Sequence, residues 1–428
     1  MSLANELGVL EAVKAIKAGR LRSVDLVAAC FDRIDARENE IGAWIYLDRQ
    51  KAMAQAAASD ARPTDVPLRG IPIAVKDIID TVDMPTEYGS PIYRDRRPSW
   101  DAACVAMIRQ AGAILLGKTV TTEFAYFAPG KTANPCDTRC TPGGSSSGSA
   151  AAVADNMVPA AFGSQTAASL IRPAAFCGVV GYKPSLGEFS LAGIKPFAES
   201  FDTLGTITRS VADAAYLRSV LLGGCAGAEE RDSRRIRVGI CRGPWWECAD
   251  ESSQRAIEAA AARLARGDAE VGEVTLPQHF DRLVETHMQI MAYEAARNLS
   301  YEYGARRQLL SASLVNLIES GISMNRAEYL AAQRECERAR REFMNVMNQW
   351  DVLLTPSAKG EAPRGLQATG DPLFSRMWTL LGVPSLTLPG FVGPNGLPVG
   401  VQLIGTYRND DRFLAIAGWI EAMLKAAH

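Results

Sequence analysis

A glycine- and serine-rich loop that runs directly into an alanine-rich segment constrains this chain more than any other feature. The loop is GGSSSGS at 143–149, and AAAVA follows it without a break. A flexible linker is one interpretation, but linkers seldom lead straight into a segment that is apolar enough to be buried. Backbone N–H groups of such a loop can also bind an anion. No lysine of the P-loop kind follows, so the loop gives little support to a phosphate site.

A lysine at the end of a short apolar run is the second unusual feature. The run GIPIAV at 70–75 predicts a buried strand, and Lys76 comes directly after it. A lysine in this position usually extends to solvent or pairs with a carboxylate. A desolvated lysine can instead lose its proton, and a neutral amine is a competent base for a serine hydroxyl. A lysine and a serine can then do the work of a histidine and an aspartate.

Histidine and cysteine chemistry have little support in this sequence. None of the three histidines lies near a serine in a glycine-rich context such as the G-x-S-x-G elbow of hydrolases. The nine cysteines are odd in number and scattered, which predicts free thiols in a cytoplasmic protein rather than a secreted disulfide framework. The close cysteine pairs have no histidine at zinc-finger spacing, so we expect no metal.

Charge and hydropathy exclude two further classes of partner. The 46 Lys and Arg residues oppose 48 Asp and Glu residues, and the net charge of −2 lacks the basic excess that drives nucleic-acid binding. The stretch 377–407 carries no charged side chain, but its four prolines and six glycines interrupt any membrane-spanning helix. We interpret this stretch as buried strands around a turn. We therefore expect neither a nucleic acid nor a membrane as partner.

The sequence shows no polar linker long enough to separate domains, so we expect a single domain over residues 1–428. In the first part of this domain, Ser23 is a predicted helix N-cap. Further on, apolar residues spaced by three or four between Tyr329 and Trp350 predict a long amphipathic helix. We divide the chain into an N-terminal helical layer at 1–60, a catalytic core at 66–186, a helical segment at 250–350 and a C-terminal α/β segment at 351–428.

Several of these motifs closely resemble those of the amidase signature family, whose catalytic set is Ser, cis-Ser and Lys. The resemblance rests on GIPIAVKD at 70–77, GGSSSGSAAAVA at 143–154, SQTAASLIRPAAFCG at 164–178, VGYKPS at 180–185, DVLLTP at 351–356 and GLPVGVQLIG at 396–405. It covers most of the chain and implies a single-domain α/β fold, in which helices cover both faces of a mixed β-sheet. Within the family the motif sequences are most similar to those of the malonamidase-like members.

Carried over to this sequence, the resemblance implies three catalytic residues. Lys76 matches the general base, Ser145 the cis-serine and Ser169 the nucleophile, with a cis peptide bond between Gly144 and Ser145. The proton of Ser169 passes to Ser145, whose own proton goes to neutral Lys76, and the same relay returns a proton to the leaving nitrogen. For this chemistry the pKa of Lys76 must fall about 3 units below its ordinary value of about 10.4.

The resemblance also implies an oxyanion hole and two supporting hydroxyls. Ser146 and Ser164 match positions that support the proton relay. The backbone N–H groups that match the oxyanion hole are those of Thr166, Ala167, Ala168 and Ser169. Most family members have glycine just before the nucleophile, whereas this chain has two alanines. Either the loop keeps negative φ and the methyl groups only narrow the pocket, or the N–H groups are misdirected; we expect the first.

Arg172 lies one position later than the arginine of the usual family wording. The malonamidase-like members share this later placement and use the arginine to bind a substrate carboxylate, which suggests an acidic small amide. A guanidinium also has five fixed donors with which it can brace the loop through backbone carbonyls. Both roles are open at this stage.

The sequence therefore predicts an amidohydrolase that cleaves the C–N bond of a small-molecule amide through an acyl-enzyme. The resemblance implies no metal and no cofactor and allows a homodimer, and the expected location is the cytoplasm. One alternative is the A-type subunit of a tRNA-dependent amidotransferase, which belongs to the same family. Another is a catalytically disabled member that acts as a binding protein, an alternative that the two alanines before Ser169 keep open.

Overall fold

The computed structural model describes residues 3–62, 65–224 and 235–426. The strands of these residues are short segments that join one continuous sheet. They are β1 (Trp44–Leu47), β2 (Pro72–Lys76), β3 (Ile114–Thr119), β4 (Ala160–Gln165), β5 (Val180–Lys183), β6 (Thr203–Thr208), β7 (Arg237–Ile240), β8 (Glu270–Glu273), β9 (Val352–Pro356), β10 (Ser385–Val392) and β11 (Pro398–Ile404).

Helices occupy about half of the remaining described residues. The α-helices are α1 (Val9–Lys17), α2 (Ser23–Ile41), α3 (Arg49–Ala61), α4 (Ala103–Gln110), α5 (Ser147–Ala154), α6 (Ile171–Cys177), α7 (Val211–Leu221), α8 (Glu251–Arg266), α9 (Leu283–Asn298), α10 (Ser300–Arg306), α11 (Ala312–Ser323), α12 (Arg326–Met347), α13 (Leu373–Leu381) and α14 (Asp410–Lys425). Short 3-10 turns lie at Ala4–Glu6, Pro91–Tyr93, Glu123–Ala125, Trp246–Cys248, Gln278–Arg282 and Arg307–Leu309. Within the described part of the chain, no helix is both long and apolar enough to cross a membrane.

The sheet has the strand order β1-β3-β2-β4-β6-β5-β10-β11-β9-β7-β8. The neighbours β3, β2 and β4 run parallel, as do β9, β7 and β8, and antiparallel strands join these two groups. The helices cover both faces of the sheet, and the predicted fold class, a single α/β domain around a mixed sheet, is confirmed. Each of the four predicted segments contributes at least one strand, and their boundaries stay predictions.

Strand β2 explains how a lysine reaches the interior. It lies between two parallel neighbours, and all of its residues are buried. Strands of this kind are covered on both faces and consist of continuous apolar runs. The run GIPIAV is such a sequence, and its strand ends at Lys76. The fold therefore places the amine of Lys76 inside the protein, where the loop after β3 and the strand β4 meet it.

Two local predictions differ from the structure. Ser23 is the first residue of α2 rather than its N-cap, and the carboxylate of Asp60 accepts hydrogen bonds from the N–H groups of Ser23 and Val24 at 2.8 and 3.0 Å. The uncharged stretch 377–407 contains β10 and β11, as expected, but its first residues belong to α13. Helix α13 is almost wholly buried, so it lacks the polar face by which a sequence usually reveals a helix.

Candidate active site

The amine of Lys76 is enclosed by serine hydroxyls. Its side chain has no exposed surface, and Nζ lies 2.6 Å from Ser145 Oγ and 2.9 Å from Ser164 Oγ. Burial lowers the pKa of Lys76 to about 7, because an ammonium ion loses its hydration there, while the negative charge of Asp202 opposes this shift. An amine with this pKa is a base at neutral pH, which is what the proton relay requires.

The serine loop reaches Lys76 through a tight backbone path. The peptide bond between Gly144 and Ser145 is cis, and Gly143 has a φ of +81°. A Cβ atom on Gly144 would lie only 2.7 Å from Thr369 Cγ2, so this close approach requires glycine. Helix α5 begins two residues after Ser145, and its first turns are buried. The polar loop is therefore part of the packed core and not a linker.

Ser146 and Ser164 lie side by side beneath the relay. Ser146 Oγ accepts a hydrogen bond from Ser164 N and donates one to Ser164 O, both at 3.3 Å. Gly163 permits this contact, because a Cβ atom there would meet Ser146 Oγ at 2.7 Å. Through these contacts the serine loop is held against the end of β4, so that Ser145 and Ser164 meet Lys76 together.

Ser169 lies on the loop between β4 and α6. Its residue is 7% exposed, and its carbonyl oxygen accepts a hydrogen bond from Ser146 N at 3.3 Å. Its Oγ makes no hydrogen bond with any described residue, so the contact between Ser145 and Ser169 that the relay needs is not closed. Catalytic hydrogen bonds are often long in the absence of substrate and tighten when it binds.

The three carbonyl groups before the nucleophile are each held by a group outside the loop. His287 Nε2 donates to Thr166 O at 2.8 Å, Thr379 Oγ1 donates to Ala167 O at 2.7 Å, and Arg172 N donates to Ala168 O at 3.0 Å. The C=O and N–H of a trans peptide point in opposite directions. Each held C=O therefore directs the N–H group of the next residue, which belongs to the same peptide, away from the group that holds the carbonyl.

The N–H groups of residues 166–169 donate no hydrogen bond to any described residue. Four adjacent free donors beside a serine hydroxyl can stabilise the oxyanion of a tetrahedral intermediate. Neither Ala167 nor Ala168 is among the residues with positive φ. This backbone supports the first of the two alternatives, in which the methyl groups narrow the pocket and the donors are retained.

Arg172 is used mainly by the protein itself. Its Nη1 donates to Gly370 O at 2.7 Å, and its Nη2 donates to Gly144 O at 2.8 Å and to Thr369 Oγ1 at 3.1 Å. Among the described residues only its Nε finds no partner, and this atom is buried. These contacts favour the bracing role over recognition of a substrate carboxylate, because two of the three nitrogens already hold the backbone around the cis peptide bond.

Two adjoining cavities give access to Ser169. The smaller has a volume of about 20 Å³ and lies against residues 166–169, so it has room for little more than one water-sized group. The larger has a volume of about 650 Å³, within the range of small-molecule sites. Both cavities are lined by Phe127, Pro372 and Arg376. A substrate can therefore occupy the larger cavity and direct its amide oxygen into the smaller one.

The sequence analysis did not identify several residues of the site. Gln165 Oε1 accepts the N–H groups of Leu170 and Ile171 at 2.9 and 3.1 Å and thereby shapes the nucleophile loop. His287, Thr379, Asp202 and Arg376 complete the surroundings. Gln165 lies inside a recognised motif and His287 is one of three histidines, which are usable signals; nothing in the local sequence marks the others.

Asp202 holds the other side of the same loop. Its carboxylate accepts hydrogen bonds from Thr166 Oγ1 at 2.5 Å and from the N–H groups of Phe197 and Ala198 at 2.7 and 3.0 Å. Burial raises the pKa of Asp202 to about 6. Among the described residues there is no cluster of three or more His, Cys, Asp or Glu side chains that could hold a metal ion.

Comparison with known proteins relates the chain to amide-cleaving proteins. Residues 25–414 match the family model named Amidase. The A-type subunit of the glutamyl-tRNA(Gln) amidotransferase of Geotalea daltonii is 33% identical, over 96% of each chain. A crystal structure of an amidase is 31% identical with a TM-score of 0.89, over 97% of this chain and 99% of the other. The peptide amidase of Stenotrophomonas maltophilia is 29% identical with a TM-score of 0.82, over 98% and 97%. The malonamidase-like sub-assignment is not confirmed.

Proposed function

The chain belongs to the amidase family and is a hydrolase that acts on amide C–N bonds, and from this premise we propose that it cleaves small carboxamides through an acyl-enzyme on Ser169. The observation that carries the proposal is the amine of Lys76, which is fully buried, contacts Ser145 and Ser164, and has a pKa of about 7. The two hydroxyls satisfy the buried amine, and Ser145 Oγ lies close enough to pass a proton to it.

In the proposed reaction, Ser169 Oγ attacks the amide carbon while its proton passes to Ser145 and the proton of Ser145 passes to Lys76. The N–H groups of residues 166–169 stabilise the oxyanion that forms. The relay then protonates the amide nitrogen, the C–N bond breaks, and the acyl group stays on Ser169 as an ester. Water repeats the attack with the same relay, which releases the acid and restores the enzyme.

The supporting residues act by position in this proposal. Ser164 shares the amine of Lys76, Ser146 fixes the distance between the serine loop and β4, and Gly144 permits the backbone approach that places Ser145. Arg172 braces this approach from the other side. We propose that the enzyme works without cofactor, and its cytoplasmic location and any homodimer stay predictions.

The second candidate is the A-type subunit of a tRNA-dependent amidotransferase. The observation that favours it is the relative from Geotalea daltonii, which matches the chain over nearly its whole length. Such relatives support this candidate more directly than they support a free-standing amidase. The same site would then release ammonia from an amide donor for transfer to an acceptor within an assembly. The third alternative, a disabled binding protein, is disfavoured by the free N–H groups beside Ser169 and by the intact contacts of Lys76.

Ammonia release by the purified chain tests the proposal. We expect the chain alone to release ammonia from at least one small amide in a panel that includes glutamine. Ser169→Ala and Lys76→Ala should each lower the rate by a factor on the order of 10³ or more, and Ser145→Ala should leave little activity, because the three residues act as one unit. The exposed Ser320→Ala is the control and should keep full activity.

Two results would change the assignment. A Ser169→Ala variant that retains more than a tenth of the wild-type rate would contradict Ser169 as the nucleophile. The amidotransferase candidate would be favoured if glutamine were the one amide of the panel that is hydrolysed, and if its hydrolysis required the chain to be purified in an assembly.

A further inference from the structure

We infer that Arg376 binds a carboxylate of the substrate, so that the enzyme prefers amides carrying a free acid group; this inference rests on the proposed function. Arg376 lies on α13 and is 7% exposed. Its only hydrogen bond with a described residue joins Nη1 to His287 Nδ1 at 3.0 Å. No carboxylate of the described residues lies within ion-pair distance of its guanidinium.

A buried cation without a counter-ion is costly, because the desolvation of the charge is not compensated. The cost is offset when a ligand supplies the missing anion. A guanidinium is suited to this task, since its planar fork matches the two oxygens of a carboxylate. The remaining nitrogens of Arg376 are available for such a contact, because the described residues engage only Nη1.

His287 fixes the guanidinium without neutralising it. His287 Nε2 donates to Thr166 O, so Nδ1 carries no proton and accepts from Arg376. Burial and the charge of Arg376 lower the pKa of His287 to about 3, so the imidazole stays neutral. Phe201 stacks on the ring at a centroid distance of 4.4 Å. The positive charge of Arg376 is therefore held in one place and left for a ligand.

The position of Arg376 suits an acid group that lies close to the reacting amide. Arg376 lines both the large cavity and the small cavity beside Ser169. A substrate that enters from the large cavity passes this guanidinium before its amide reaches the nucleophile. The cation therefore lies where one end of a short acidic amide would remain while the other end reacts.

Besides Arg376, one cation and one anion line the two cavities, and the buried carboxylate of Asp202 holds Thr166, which lines the small cavity. Arg172 lines the small cavity, but its Nη atoms are occupied by backbone and hydroxyl oxygens. Asp371 lies exposed at the rim of the large cavity, and its Oδ1 accepts a hydrogen bond from Leu373 N at 2.9 Å. Asp371 thus lies at the start of α13 without an ion pair to Arg376, although its charge partly offsets the effect of burial on the pKa of Arg376.

Matched pairs of amides test the inference on the full chain. Malonamate, succinamate and glutaramate are compared with propanamide, butanamide and pentanamide, in which a methyl group replaces the carboxylate. We expect the wild type to prefer the acid member of at least one pair, in kcat/KM, by about tenfold or more. Arg376→Gln should lower the ratio of kcat/KM for that acid to kcat/KM for its neutral partner by about tenfold or more, with the loss on the acid mainly in KM.

Two further variants serve as controls. Arg376→Lys keeps the charge and should retain part of the preference, while Asp371→Asn removes the rim charge and should leave the preference equal or larger. The wild type by itself can overturn the inference. If it turns over acid and neutral amides equally well, the inference is wrong while the proposed function stands. An Arg376→Gln variant whose kcat/KM falls by the same factor on both members of a pair also overturns the inference. If no amide is turned over and a fluorophosphonate does not label Ser169, the proposed function itself is wrong and the inference with it.

Discussion

At the scale of single residues, the chemistry depends on the environment of one amine. Lys76 would be protonated at neutral pH in water, since its ordinary pKa is about 10.4. Burial at the end of β2 lowers this pKa to about 7, and Asp202 limits the shift. The two serine hydroxyls that contact Nζ can each donate to the neutral amine or accept from the charged one. Lys76 is therefore poised to exchange a proton.

The pH dependence of activity follows from this pKa. The neutral amine is the base, so kcat/KM should rise with pH, with a midpoint near 7, and should fall about tenfold per unit well below it. Asp202→Asn removes the charge that raises the pKa of Lys76, so the midpoint should move to lower pH. Asp281→Asn, an exposed carboxylate, is the control and should not move it. A flat profile between about pH 5 and 9 would be incompatible with Lys76 as the base.

The two alanines before Ser169 give a second prediction for single residues. Their backbone has no positive φ and keeps its N–H groups free, so the oxyanion hole does not need glycine here. Replacing both Ala167 and Ala168 by Gly should change kcat on the best substrate by less than about tenfold and should admit bulkier acyl groups. The measurement is a substrate series of increasing acyl size. An inert wild type with an active double variant would show that the alanines disable the site.

At the scale of elements, the nucleophile loop is shaped by helices distant in sequence. Helix α9 contributes His287, which holds Thr166 O, and α13 contributes Thr379, which holds Ala167 O. Gln165, at the end of β4, accepts two N–H groups at the start of α6 and donates to Thr379 Oγ1 at 3.0 Å. The direction of the free N–H groups is thus a property of how these elements pack.

Removing one anchor tests this dependence. Thr379→Val is nearly isosteric but cannot donate to Ala167 O, so the loop loses one of its three fixed carbonyls. We expect kcat to fall about tenfold or more, with KM within about threefold, because the oxyanion donors are needed most in the transition state. Thr379→Ser keeps the hydroxyl and should restore the rate. An unchanged kcat in Thr379→Val would show that this anchor does not orient the loop.

At the scale of the whole molecule, one buried carboxylate joins the two halves of the chain. Asp410, at the start of α14, accepts hydrogen bonds from Tyr182 Oη at 2.5 Å and from Ser185 N and Oγ at 2.9 and 2.5 Å. The partners lie at the end of β5, near the middle of the sheet. The fully buried Lys183 lies nearby; burial lowers its pKa to about 7, and Asp410 opposes the shift. The C-terminal helix is therefore tied to the sheet by polar contacts as well as by apolar packing.

Loss of this carboxylate should destabilise the protein. Asp410→Ala leaves three buried donors without an acceptor, and we expect the free energy of unfolding to fall by about 3 kcal/mol. Urea denaturation of the full chain measures this change. Asp65→Ala removes a carboxylate whose side chain is 90% exposed, and should change the free energy by less than about 0.5 kcal/mol. Similar losses in the two variants would show that Asp410 does not join the halves.

Part of this protein was determined by its sequence, because some features depend only on neighbours along the chain. An unbroken apolar run made β2 a buried strand, and a stripe at helical spacing made α12, whose buried residues are Ala332, Cys336, Ala339, Phe343 and Met347. The resemblance of contiguous motifs to those of the amidase signature family predicted the members of the relay. Each of these features depends on a segment of about 20 residues or fewer, which is the range over which hydrophobic periodicity and turn-forming residues predict structure.

The tertiary structure alone decided the contacts that join distant segments. The N-terminus of α2 is capped by the side chain of Asp60, which lies 37 residues from Ser23, and not by a neighbouring residue. His287 and Thr379 reach the nucleophile loop across 121 and 212 residues. Arg172 was open to two roles until Gly370, 198 residues away, accepted its hydrogen bond. A side chain's partner is set by which elements pack together, and for these residues the packing brought in elements that the local sequence does not specify.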